Sequence, residues 1–105
     1  MKRIFLSLGS NLGSRLNNII ESINLIKKHS ELILIDSSSV YETKPMYNTN
    51  QPNFLNAVVL IESNVKPLQL LNDLKKIESY LGRSLKNSHN NPRVIDIDIL
   101  TYGNE

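Results

Sequence analysis

Two aspartates separated by one residue, Asp96-Ile97-Asp98, are the residues of this 105-residue sequence whose type and spacing speak most directly of chemistry. Aspartate is depleted in β-strands, yet residues 94–102 alternate, with Ile95, Ile97 and Ile99 on one face and Asp96 and Asp98 on the other. Residues two apart in a strand carry both carboxylates on one side, roughly 6.5–7 Å apart along the chain. Such a pair can hold a hard cation such as Mg²⁺, which keeps several waters and takes further ligands from substrate phosphates. The solvent face of an ordinary alternating strand would show the same two acids. Just upstream stand Arg83, Lys86, His89 and Arg93. Cations beside a dicarboxylate suit a polyphosphate–metal complex, because arginine binds phosphate oxygens in bidentate fashion; scattered charges on a surface loop are the plainer account of any one of them.

Two further groups invite a chemical reading. Phe54 and Asn56 share one side of a strand, an aromatic plane beside a carboxamide. That pairing can stack on a flat heterocycle and read its edge, although a buried Phe with a capped Asn would look the same. Gly9-Ser10-Asn11-Leu12-Gly13 lies between a strand and a helix N-terminus, where backbone N–H groups can meet an anion. It has neither of the glycine spacings of the common phosphate loops, and tight packing of strand on helix accounts for both glycines.

The elements that must position these residues follow from periodicity. Residues 3–8 read as a strand ending at Gly9. Leu16, Ile19, Ile20, Ile23 and Ile26 form one face of a helix over 14–29, with Ser14 as N-cap and Lys27, Lys28 and His29 in the last turn, where the helix dipole favours cations. Residues 32–41 form a second strand, and 42–53, with Pro45 and Pro52, a long loop. Residues 54–62 are apolar on both faces, which predicts a central strand covered on both sides. Pro67 starts a second helix with the stripe Leu70, Leu71, Leu74, Ile77 and Leu81, and Gly82 follows it as a C′ residue. Residues 83–93 form a second long loop before the last strand. The order β-α-β-β-α-β predicts an α+β, ferredoxin-like sandwich in which two helices cover one face of an antiparallel sheet.

Length allows one domain, residues 1–105. Hydrophobic residues at 40% and charged residues at 21% exclude a disordered or fibrous chain, and the absence of cysteine excludes disulfides, thiolate metal sites and cysteine nucleophiles. A net charge of +2 is too small to argue for a nucleic-acid partner. The longest apolar run, residues 57–61, is far short of a membrane span, and Asn11 and Arg15 interrupt the N-terminal apolar stretch before a signal sequence could form, so a cytoplasmic location is expected.

Taken in order, Ser7-Leu8-Gly9-Ser10-Asn11-Leu12-Gly13, Val40-Tyr41-Glu42-Thr43-Lys44-Pro45, Gln51-Pro52-Asn53-Phe54-Leu55-Asn56-Ala57, Leu70-Leu71 with Ile77-Glu78, Leu81-Gly82-Arg83 and Pro92-Arg93-Val94-Ile95-Asp96-Ile97-Asp98-Ile99-Leu100 resemble the hydroxymethyl-dihydropterin pyrophosphokinase family. The arginine followed by the D-x-D strand is the most specific of these. The resemblance implies a folate-pathway enzyme passing diphosphate from ATP to a pterin alcohol. It implies two Mg²⁺ ions on Asp96 and Asp98, and phosphate contacts from Arg83 and Arg93 during transfer. It places the pterin ring on Phe54, its edge on Asn56 and on the segment Thr43, Pro45 and Met46, and the nucleotide against Glu78, Arg93 and Ile99. Residues 44–53 and 83–93 would be flaps closing over the substrates. The implied partners are these small molecules alone, with no nucleic acid and no membrane, and the chain would act as a monomer.

Two departures stand out. Leu85 occupies the place of a second family arginine, and Asn90-Asn91 that of a Trp-Gly pair. The family pattern also runs on for about another third of its length, so the sequence reads as the N-terminal two-thirds of such a domain. A different class of function, a non-catalytic ferredoxin-like binding module, predicts no affinity for ATP and no Mg²⁺ dependence; between the two lies an inactive truncated remnant, or a poorly folded one, which a cooperative melt would count against.

Overall fold

The computed structural model describes residues 1–46, 50–82 and 94–104. Among these residues the elements are β1 (Lys2–Ser10), α1 (Arg15–Lys28), β2 (Ile33–Ser37), β3 (Tyr41–Thr43), β4 (Phe54–Ser63), α2 (Pro67–Gly82) and β5 (Asp96–Tyr102). The sheet order is β2-β4-β1-β5, with β3 also paired to β4, and every pairing is antiparallel. Antiparallel steps from β1 through β4 to β2 leave β1 and β2 parallel, and by the same count β4 and β5 are parallel. Each of these parallel pairs skips a strand and is joined through a helix, which is the split βαβ arrangement predicted above.

Alternation along β1 and β4 sends Ile4, Leu6 and Leu8, with Ala57, Val59 and Ile61, to one face of the sheet, where all six are fully buried. Ile19 and Ile26 of α1 and Leu70, Leu74 and Ile77 of α2 complete that core. Burying each of the Val, Leu and Ile side chains among them stabilises the fold by roughly 1.5–3 kcal/mol. The two helices are further tied by His29 Nε2, 3.3 Å from the Asp73 carboxylate, whose other oxygen accepts a bond from Gln69 at 2.7 Å.

Several expectations are corrected. The second predicted strand is two: β2 and β3 both pair with β4, separated by Ser38, which bonds Val58 through its backbone and its hydroxyl instead of continuing the ladder. Leu16, Ile20 and Leu71 belong to the predicted helical stripes but are exposed, because each helix meets the sheet along a face narrower than its apolar sector. Ser14 makes no side-chain cap bond, and Gly82 is the last residue of α2, not a C′ residue. Among the described residues β4 is central but covered on one side. Both helices lie on the Ala57 face, and Phe54, Asn56, Val58 and Leu60 on the other are half-buried.

Candidate active site

That second face carries the residues singled out for chemistry. The register sets Asn56 opposite Gly9 and Gly9 opposite Asp96; one step along, Val58 faces Ser7 and Ser7 faces Asp98. The middle strand therefore offers only a hydrogen and a hydroxymethyl between two walls. One wall is Phe54 and Asn56 on β4; the other is Asp96 and Asp98 on β5. Two interstrand steps separate them by roughly 9–10 Å. Asp96 is half-buried and Asp98 exposed.

The glycine at position 9 is required by close approach. A Cβ there would lie 3.2 Å from Asn56 Oδ1 and 3.4 Å from the Phe54 ring. Its absence lets both side chains lean over β1. Asn56 is held from behind, where its Nδ2 donates to Thr43 Oγ1 at 2.8 Å and to the Tyr41 carbonyl at 3.4 Å. Thr43 is itself paired with Phe54 across β3 and β4. Pro45 is buried and Met46 is 81% exposed at the mouth of the following segment.

Sequence reasoning missed the residues that hold this wall in place. Buried Asn11 donates to Gln51 Oε1 at 2.7 Å and to the Pro52 carbonyl at 3.1 Å. Arg15 Nη1 donates at 2.9 Å to both the Glu42 carboxylate and the Asn53 carbonyl. The approach to Phe54 is thus anchored to the turn after β1 and to the first turn of α1. Gly13 turns the chain into α1 at a φ of +73°, a conformation that favours glycine, and Asn18 closes the turn through Ser10 Oγ and the Leu12 carbonyl. The turn read as a weak anion loop serves packing and anchoring.

At the outer edge of β5, Glu78 Oε2 accepts a bond of 2.6 Å from the Ile97 backbone N–H. Burial pushes the Glu78 carboxyl above its ordinary range; the bond from Ile97 opposes this, Asp96 adds to it, Lys75 opposes it and Asp98 adds to it. A carboxyl raised in the folded state contributes stability that is fully present below its unfolded pKa and is lost as pH rises through the folded value. Glu78→Gln mimics the neutral form. In metal-free melts its Tm relative to wild type should be lowest near pH 4 and should climb as pH rises toward 7; a flat difference would refute the shift. Ile99 lies on the opposite face from the carboxylates, partly buried against the core. Arg83 and Arg93 lie outside the described residues.

Among the described residues no three acidic, histidine or cysteine side chains converge on a metal position. Two carboxylates on an open face, with the remaining positions left to water and phosphate, fit Mg²⁺ and do not fit a cation that needs an all-protein cage. No helix among these residues is long and apolar enough to cross a membrane.

Fold and site together define a ferredoxin-like α+β domain with an acidic edge strand facing an aromatic–carboxamide wall. Within that class the match is specific: the family model for 7,8-dihydro-6-hydroxymethylpterin-pyrophosphokinase (HPPK) covers residues 5–104, and the chain belongs to this family. It is 38% identical over 101 residues to the 2-amino-4-hydroxy-6-hydroxymethyldihydropteridine pyrophosphokinase of Haemophilus influenzae, spanning 96% of this chain and 62% of that protein. It is 42% identical over 102 residues to a folate synthesis bifunctional protein of Arabidopsis thaliana, spanning 97% of this chain and 21% of that protein. A solved structure described as HPPK-DHPS in complex with substrates superposes with a TM-score of 0.72 at 20% identity, over 98% of this chain and 28% of that one, and so shares the fold.

Proposed function

We propose that this chain carries the catalytic face of a 2-amino-4-hydroxy-6-hydroxymethyldihydropteridine diphosphokinase, which transfers diphosphate from ATP to 6-hydroxymethyl-7,8-dihydropterin in tetrahydrofolate biosynthesis. The single observation that carries this reading is the trough over Gly9, with Asp96 and Asp98 on one side and Phe54 and Asn56 on the other, inside a chain matched to the family over residues 5–104. In the reaction the pterin hydroxymethyl oxygen attacks the β-phosphorus of ATP, the bond from that phosphorus to the α,β-bridging oxygen breaks, AMP leaves, and the hydroxyl proton passes to solvent.

The chain's own part is to hold both partners in line. Phe54 takes the flat ring, and Asn56 with the Thr43, Pro45 and Met46 segment reads its edge. Asp96 and Asp98 would hold the two Mg²⁺ ions, which would supply charge neutralisation to the phosphates. Arg83 and Arg93 are assigned to phosphate oxygens by sequence, and Glu78, Arg93 and Ile99 to the nucleotide side. The protein is read as a cytoplasmic monomer. Calorimetry with a non-hydrolysable ATP analogue tests the reading: binding is expected with Mg²⁺, with at least tenfold weaker affinity after chelation. Equal affinity with and without Mg²⁺ would favour a non-catalytic module.

A further inference from the structure

We propose that Glu78 is a positioning residue, which holds the start of the β5 backbone so that Asp96 and Asp98 are presented together to a divalent cation. The proposal rests on the reading of those two aspartates as cation ligands.

β5 is an edge strand. Its inner side pairs with β1 through Gly9, Ser7 and their neighbours, and its outer side has no partner strand among the described residues. Asp96 is its first residue. Strand ends with one neighbour are where a sheet opens most readily. Ile97 lies between the two acids, so its N–H belongs to the peptide plane that joins it to Asp96, and its side chain is buried under the sheet. Glu78 takes that N–H from the outer side at 2.6 Å, where a further strand would otherwise bond it.

The anchor is stiff. Glu78 follows Ile77 in α2, and Leu70, Leu74 and Ile77 fix that helix in the core. With the side chain of Ile97 held below, β1 bonded on one side and Glu78 on the other, the peptide between the acids cannot rotate to let one carboxylate turn away. A neutral acceptor could make this bond at lower cost in burial. Groups behind metal ligands commonly change metal affinity 10- to 100-fold when removed.

The test uses MnCl₂ alone, without nucleotide, so that contacts between Glu78 and ATP do not enter. In the ¹⁵N-labelled protein, exchange of the Ile97 amide and Mn²⁺-induced broadening at Asp98 and Ser7 are read together. Glu78→Ala is expected to speed Ile97 exchange and to weaken the apparent Mn²⁺ affinity about tenfold. Glu78→Gln, which keeps an acceptor oxygen, should retain Ile97 protection and lie closer to wild type in Mn²⁺ affinity. Glu78→Met preserves volume without an acceptor and replaces the alanine variant if that one fails to melt cooperatively. Ile26→Ala, in the core at the far end of α1, controls for lost stability and should leave Mn²⁺ affinity as it was. Wild-type Mn²⁺ affinity in Glu78→Ala would overturn the proposal and leave the carboxylate site standing. A wild-type protein showing no broadening at Asp98 or Ser7 would overturn the site reading, and this proposal with it.

Discussion

Asp96→Ala and Asp98→Ala are each expected to lower the rate of AMP formation from ATP and 6-hydroxymethyl-7,8-dihydropterin by about a thousandfold or more, the largest effect of any substitution in this chain. The physical argument begins with the donor set. Among the described residues no third acidic side chain joins the pair in ligating geometry, since Glu78 Oε2 is turned to the Ile97 N–H. A lost aspartate therefore has no substitute among the described residues, and water in its place brings no charge. The proposed transfer concentrates negative charge on the transferring group, and neutralising it is the main thing a protein can do for phosphoryl transfer. At 1.36 kcal/mol per tenfold, a thousandfold loss corresponds to about 4 kcal/mol, an ordinary size for removing such stabilisation. The measurement is AMP release followed by chromatography across a Mg²⁺ titration. Saturating Mg²⁺ should not restore the rate, and Asp98→Asn, isosteric but neutral, should fall with the alanine variants because charge and not shape is what is lost. A wild-type rate in either alanine variant would sink the assignment of both carboxylates.

How much of this was legible beforehand depends on the range of the interaction concerned. The split βαβ order, the second helix and the common face of Asp96 and Asp98 are written in periods of two and of 3.6 residues, so a short window suffices. The break of the second strand at Ser38 has no such signature, because it is set by how Val58 on another strand satisfies its backbone. The exposed Leu16, Ile20 and Leu71 show the same limit, since a stripe tells which residues can be buried while packing decides how wide a strip is used. The trough itself was half visible. Phe54 and Asn56 could be placed side by side from alternation, and Asp96 and Asp98 likewise, but that Gly9 lies between them is a fact of register across β4, β1 and β5. Asn11 and Arg15 reach partners 27 to 41 residues away, and nothing local marks an asparagine in a turn as an anchor for Gln51 and Pro52. The resemblance puts Glu78 beside the nucleotide, but no local pattern marks it as the acceptor of the Ile97 N–H at the edge of β5.

The second large effect concerns the opposite wall. Asn56→Ala is expected to weaken pterin binding about 10- to 100-fold, measured by calorimetry in the presence of Mg²⁺ and a non-hydrolysable ATP analogue. The orientation of the amide makes the argument. The Tyr41 carbonyl can only accept, and Asn56 Nδ2 faces it at 3.4 Å while donating to Thr43 Oγ1 at 2.8 Å, so Oδ1 is the atom that leans over Gly9. The trough thus receives a fixed acceptor, suited to the amide and amino N–H groups on the edge of a pterin. Alanine removes that acceptor, leaves the bound ligand's donors without their protein partner, and frees Thr43. An unmade bond of this kind costs roughly 1–3 kcal/mol, about 5- to 150-fold, which brackets the expected loss. Asn56→Asp separates the contributions: it keeps an acceptor but sets a carboxylate against the Tyr41 carbonyl, so it too should bind pterin poorly although an oxygen still points to the ligand. Gly9→Ala is the milder companion, because its Cβ would press on Asn56 Oδ1 from 3.2 Å and the amide can yield only by stretching its bond to Thr43. Its loss of pterin affinity should therefore be smaller than that of Asn56→Ala and should shrink when Thr43→Val has already released the amide. Independent, additive effects of Gly9→Ala and Thr43→Val would show that the glycine acts on the ligand directly and not through Asn56.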